Sequence, residues 1–286
     1  MGRIITAAVA LWVGLAVLAG AAIAFIAPAA YDLIDSPTRG DASTPITRGE
    51  GALPRFEADE DFGEVAVYDV LADGSLDPAA DGVAGEVWQL WVRMVGAEVA
   101  GDTIIRYRAG DAPDSDTLAY VYQDTNPRYW TLAINLATAD DPQLLVATLI
   151  HEYAHVFSFD EGDFDRKATS CDTLDLFEGC ANQASYLFQF YEAFWVRYGD
   201  SIDVENTDAD AAYEFYLANE EDFVSDYAAT NLGEDFAESF MTFVIEDVPE
   251  GDTVVAQKLQ FFTQFSELVE LREHIREELA GELGLR

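Results

Sequence analysis

His151-Glu152-Tyr153-Ala154-His155 constrains this chain more than any other stretch, because two histidines four residues apart act together only on a helix. A 3.6-residue period brings both imidazoles to one face at the separation that two ligands of one metal need. The surroundings support a helix: Asp140-Asp141-Pro142 supplies an acidic cap and a proline at the first helical position, and an apolar run from Leu144 to about Phe157 continues it. The chain holds only three histidines, so a chance match to this pattern has odds on the order of a few per thousand. Zinc is the expected metal: it lowers the pKa of a coordinated water, and Glu152, next to the first ligand, stands where it can take that proton.

Catalytic zinc usually takes three protein ligands and keeps one position open, so a third ligand is expected downstream. Glu161 has the spacing of a metzincin ligand, but Ser158 stands where that arrangement needs glycine for a sharp turn. His274 lies in a charged helical stretch and reads as a solvated surface residue. Glu178 falls near the spacing seen in thermolysin-like gluzincins. Glu234 and Glu238 sit one helical turn apart among Phe236, Ala237, Phe240, Phe243 and Val244, so one buried face can present both carboxylates inward.

The run Tyr227-Ala228-Ala229-Thr230-Asn231-Leu232-Gly233-Glu234-Asp235-Phe236-Ala237-Glu238 resembles the Tyr-x-x-Thr-Asn-x-x-Glu-x-Phe-Ala-Glu motif of the anthrax lethal factor catalytic domain and the secreted bacterial zinc peptidases similar to it. That resemblance implies a zincin-like α+β fold of gluzincin type, with a small mixed sheet and the active-site helix packed among further helices. It also implies Glu234 as third zinc ligand and Tyr227 as a hydroxyl donor to the substrate oxyanion. It extends loosely over residues 80–280 and does not cover the substrate-recruiting domains of the toxin. Glu178 remains the alternative ligand.

The first thirty residues read as a separate unit. After Arg3 an uncharged run from Ile4 to Ala30 would span about 40 Å as a helix, more than a hydrocarbon core of roughly 30 Å requires. Either as a retained anchor or as a signal segment cleaved near Ala27-Pro28-Ala29, it places the rest of the chain outside the cytoplasm, since Arg3 marks the inner side. Residues 31–60, with turn formers every few positions, read as a linker, and 61–286 as one metallopeptidase domain. Acidic side chains outnumber basic ones 54 to 15, a balance that repels phosphate backbones and excludes nucleic acid as partner.

Within the domain, Asp81 is expected to cap a helix running to about Met94, followed by strands over Thr103–Arg108, Thr117–Gln123 and Tyr129–Leu136. Cys171 and Cys180 enclose a short loop and are expected to pair in an exported protein. Helices are expected over Ala181–Tyr198, with its aromatics in the core, and over Thr253–Leu279. Three function classes fit: a peptidase acting on peptide or protein substrates, a zinc hydrolase acting on another carbonyl compound, and a zinc-dependent binding module. An intact Glu152 argues against the last, because a purely structural site needs no base. The acidic field tilts a peptidase toward basic peptides.

Overall fold

A computed structural model describes residues 53–285. The chain enters through β1 (Arg55–Asp59) and turns back into β2 (Gly63–Val70), which β3 (Leu76–Asp77) extends. Helix α1 (Gly82–Val95) follows and breaks into α2 (Ala97–Thr103) at Gly96, whose φ of 85° is one that other residues rarely adopt. Strands β4 (Ile104–Gly110), β5 (Ala119–Gln123) and β6 (Trp130–Asn135) complete a six-stranded sheet of order β1-β2-β4-β6-β5, with β3 beside β2. Only β4 and β6 pair in parallel. The fold is therefore mixed α+β.

One face of the sheet carries the main core. Tyr68, Tyr107, Leu132 and Ile134 point into it, whereas Val65, Val67 and Ala133, in alternate register, meet Phe62 in a small cluster on the other face. Helix α1 presents Val87, Trp88, Trp91 and Met94 to the main core, with Trp88 Nε1 satisfied by the Gly74 carbonyl at 2.8 Å. Helix α3 (Pro142–Ser158) starts where Asp141 accepts hydrogen bonds from the Gln143 and Leu144 amides. It is buried on all sides from Leu145 to Val156, as expected of a helix that is apolar all round.

Beyond α3 lies a small sheet of β7 (Phe164–Asp165), β8 (Asp175–Leu176) and β9 (Gly179–Ala181), in spatial order β7-β9-β8, and Cys171 and Cys180 form the expected disulfide beside it. A Cβ at Gly179 would fall 2.7 Å from the Asp165 carbonyl oxygen, and φ is 122°, so glycine alone fits this turn. Helices α4 (Tyr186–Phe190), α5 (Ala209–Asn219), α6 (Leu232–Ile245), α7 (Val254–Phe261) and α8 (Ser266–Glu278) follow. Phe236, Phe240, Phe243 and Phe262 interlock edge to face and at a tilt, with centroids 5.3 to 6.1 Å apart. Rings buried this fully stabilise a fold by roughly 1.5–3 kcal/mol each.

Several sequence expectations need correction. Residues 55–59 are a strand paired with β2 and not linker, so the domain begins earlier than residue 61. The helix expected over Ala181–Tyr198 begins only at Tyr186, after β9, and changes to a wider turn over Tyr191–Trp195 and a tighter one over Val196–Ser201. The final helix is two, broken at Phe262–Phe265. Asp81 precedes α1 with extended backbone but makes no side-chain cap bond. The run from Ile4 to Ala30 lies outside the described residues, among which no helix is long and apolar enough to cross a membrane.

Candidate metal centre

Helices α3 and α6 pack against each other and supply the converging side chains from opposite sides. His151 Nε2 and His155 Nε2 are 3.1 Å apart, and Glu234 Oε2 lies 3.1 Å from the first and 3.4 Å from the second. All three residues are buried. Ligand atoms around tetrahedral zinc, with bonds of about 2.0–2.1 Å, stand roughly 3.3–3.4 Å from one another, so the triangle has the right edge length. Two imidazoles and a carboxylate are also the donor set of catalytic zinc. Glu234 Oε2 thus faces both imidazole nitrogens at once, as a ligand of the same ion would.

The electrostatics of the triad are mutual. Burial opposes charge on Glu234, but His155 and His151 outweigh it and hold the carboxyl well below its ordinary range. Burial likewise opposes charge on His151, yet Glu234 and Glu238 hold its pKa well above the ordinary imidazole value. Glu238 Oε1 lies 2.8 Å from His151 Nδ1, and Glu238 Oε2 accepts a 2.6 Å hydrogen bond from Ser225 Oγ. With a cation in the triangle, a carboxylate on Nδ1 would keep the ring proton there and leave the Nε2 lone pair to the cation.

Two further groups flank the centre. Glu152 is 3% exposed, and burial raises its pKa although His151 and His155 pull it down. The Val121 amide of edge strand β5 donates to it. Tyr227 sits in a short turn before α6, its ring 5.9 Å from that of His151. Burial, then Glu234, Glu152 and Glu238, push its hydroxyl well above the usual phenol range, so it stays a neutral donor.

Local sequence explains how α6 delivers its ligand. Asn231 is the cap residue and accepts from the Glu234 amide at 2.9 Å, which puts Glu234 at the third helical position. A glutamate there commonly turns back onto the cap. Here its side chain turns to the imidazoles. The next residue, Asp235, is fully buried and paired with Lys258, and it accepts from Trp195 Nε1 at 2.8 Å.

The other sequence candidates lie elsewhere. Glu161 is exposed in a short turn after α3, and His274 is exposed on α8 against the Arg93 carbonyl at 3.0 Å. Glu178, in the turn between β8 and β9, is electrostatically felt by His155 but stays outside the converging ligand atoms. Ser225, Lys258 and Val121 were not legible as site residues. The one available hint was the rarity of lysine, of which the chain has only Lys167 and Lys258.

The fold and the centre together define a mixed α+β protein with a buried two-histidine, one-carboxylate group that could hold a metal ion. Comparison with protein-family models, curated proteins and solved structures gives no match.

Proposed function

We propose that this protein is a zincin-like zinc metallopeptidase of gluzincin type that acts outside the cytoplasm on peptide or protein substrates. The observation that carries the reading is the triangle of His151, His155 and Glu234 with Glu152 and Tyr227 beside it. Its motif resemblance, the disulfide and the uncharged Ile4 to Ala30 run add support for an exported, membrane-attached peptidase.

Zinc, when bound, lowers the pKa of a coordinated water to about 7 and polarises a carbonyl oxygen. Glu152 takes a proton from the attacking water and passes it to the departing amine. Tyr227 donates its hydroxyl hydrogen to the oxygen that gains negative charge. Glu238 and Ser225 hold the His151 ring in place and set its tautomer.

Purified protein incubated with a broad peptide library, with its zinc content measured, tests the reading. Cleavage that a chelator abolishes and added zinc restores is expected. Absence of stoichiometric zinc, or cleavage indifferent to the chelator, would overturn it.

A further inference from the structure

Beside the metal centre a small cavity of about 40 Å³ is lined by Phe159, Leu176, Phe177, Glu178, Glu205 and Leu232. We propose that it is a specificity pocket for a cationic side chain, lysine or arginine, of the peptide substrate, recognised by Glu178 and Glu205. The proposal rests on the peptidase reading and names the substrate class of that same site.

Position is the first argument. Gly233 also lines the cavity and directly precedes Glu234, while the Phe159 ring stands 6.2 Å from the His155 ring. A side chain seated there therefore belongs to a residue at or next to the bond being cut. Size is the second. The cavity has room for about two or three waters, which suits a slender alkyl stem. Phe159, Leu176 and Leu232 would cover the methylenes while the carboxylates meet the charged head.

Charge is the third argument, and it comes from a carboxylate that forms no ion pair among the described residues. Glu178 is 9% exposed, and among the described residues it makes no hydrogen bond to another residue, only to its own amide. A buried carboxylate so placed is costly unless a cation pairs with it. Arg166 acts on it from nearby, but that guanidinium is exposed and donates to Gln123. Glu205 is half-buried, accepts the Phe177 amide at 2.8 Å, and is crowded by Glu178, Asp203 and Asp175. Acid therefore predominates around the pocket. A metal ion is a poorer occupant, because the only His, Cys, Asp and Glu atoms that converge to ligand spacing among the described residues are those of His151, His155 and Glu234. Phe177, 70% exposed at the edge of the cavity, offers an apolar rim for the neighbouring substrate backbone.

The test uses the full zinc-loaded chain and two uncleaved probes, Nα-acetyl-arginine amide and its neutral analogue Nα-acetyl-norleucine amide, with binding followed by titration calorimetry. The arginine probe is expected to bind at least about tenfold more tightly, and Glu178→Gln and Glu205→Gln are each expected to weaken it by about tenfold, with zinc content unchanged. If Glu178→Gln does not fold, the half-buried Glu205→Gln decides. Equal binding of both probes, or parent affinity in the folded variants, overturns the pocket. Library cleavage separates the two readings. Hydrolysis without enrichment of lysine or arginine, together with no probe preference, removes the pocket and leaves the peptidase. Selective, carboxylate-dependent probe binding without any hydrolysis removes the peptidase and leaves the cation site.

Discussion

Lys258 Nζ and Asp235 Oδ2 stand 2.6 Å apart with neither side chain exposed. The lysine also donates to the Asp222 carbonyl at 2.7 Å and lies 4.0 Å over the Phe223 ring. It thereby ties α7 to the first turn of α6, which carries Glu234, and to the segment that leads into Tyr227. Burial raises the Asp235 pKa and lowers that of Lys258, each partly offset by the other's charge. Desolvation thus outweighs the attraction on both partners. Lys258→Met should cost about 3–5 kcal/mol, because it strands a buried carboxylate. Asp235→Asn combined with Lys258→Met should recover a large part of that loss in urea unfolding. A double variant no more stable than the single one would mean that packing, and not charge pairing, governs this position.

The third ligand is decided by zinc affinity. Glu234→Ala should weaken zinc binding by orders of magnitude, whereas Glu178→Ala should leave it near the parent value, since only Glu234 reaches both imidazoles. Competition titration against a chromogenic chelator measures both. Matching curves for parent and Glu234→Ala would return the assignment to another carboxylate.

Glu152→Gln should keep zinc and lose nearly all turnover. The amide preserves size and can still accept from the Val121 amide, but it cannot take up a proton. Hydrolysis at the parent rate with full zinc occupancy would remove Glu152 as the base.

Tyr227→Phe should lower the turnover number by about ten- to a thousandfold while zinc content and folding stay constant, as loss of one oxyanion donor does. A hydroxyl that acts on charge developing in the transition state changes kcat more than KM. The ring beside His151 is retained in this variant. Unchanged turnover would leave Tyr227 with a packing role alone.

Glu205 gives a pH signature. Burial, then the nearby charges of Glu178, Asp203 and Asp175, raise its pKa to about 7, against a bond from the Phe177 amide that lowers it. Between its unfolded value near 4.5 and that folded value, the native state binds more protons than the unfolded one. Its contribution to stability is therefore full below the unfolded value and lost as pH rises through about 7. Urea midpoints from pH 4 to 8 should fall with rising pH in the parent and fall less in Glu205→Gln. Parallel profiles would show that Glu205 titrates normally.

Much of the centre was legible because its signals are local. The four-residue histidine spacing and the Asp141-Pro142 start fix α3 within the chain, and β4, β5 and β6 announce themselves by β-branched and aromatic runs between turn formers. Strand β1 was hidden because Arg55, Glu57 and Asp59 make a polar edge that reads as linker. The break between α7 and α8 was hidden because Phe262 and Phe265 continue the apolar stripe through it. Pairings such as Asp235 with Lys258, or Ser225 with Glu238, join residues by packing across the fold, and no local period encodes them. Glu234 became legible through its motif alone, since an acidic residue in so acidic a chain is inconspicuous.

The order of the large sheet also sets its mechanics. Strand β1, through which the chain enters, and β5, which touches Glu152, are the two opposite edges of the path, separated by four interstrand steps or about 19 Å. Tension applied through the N-terminal side would thus load the β1–β2 ladder first. That ladder could peel residue pair by residue pair, from Arg55 opposite Val67 onward, before strain reached the strand that borders the candidate centre. A protein held by that end would keep the candidate centre on the far side of the sheet.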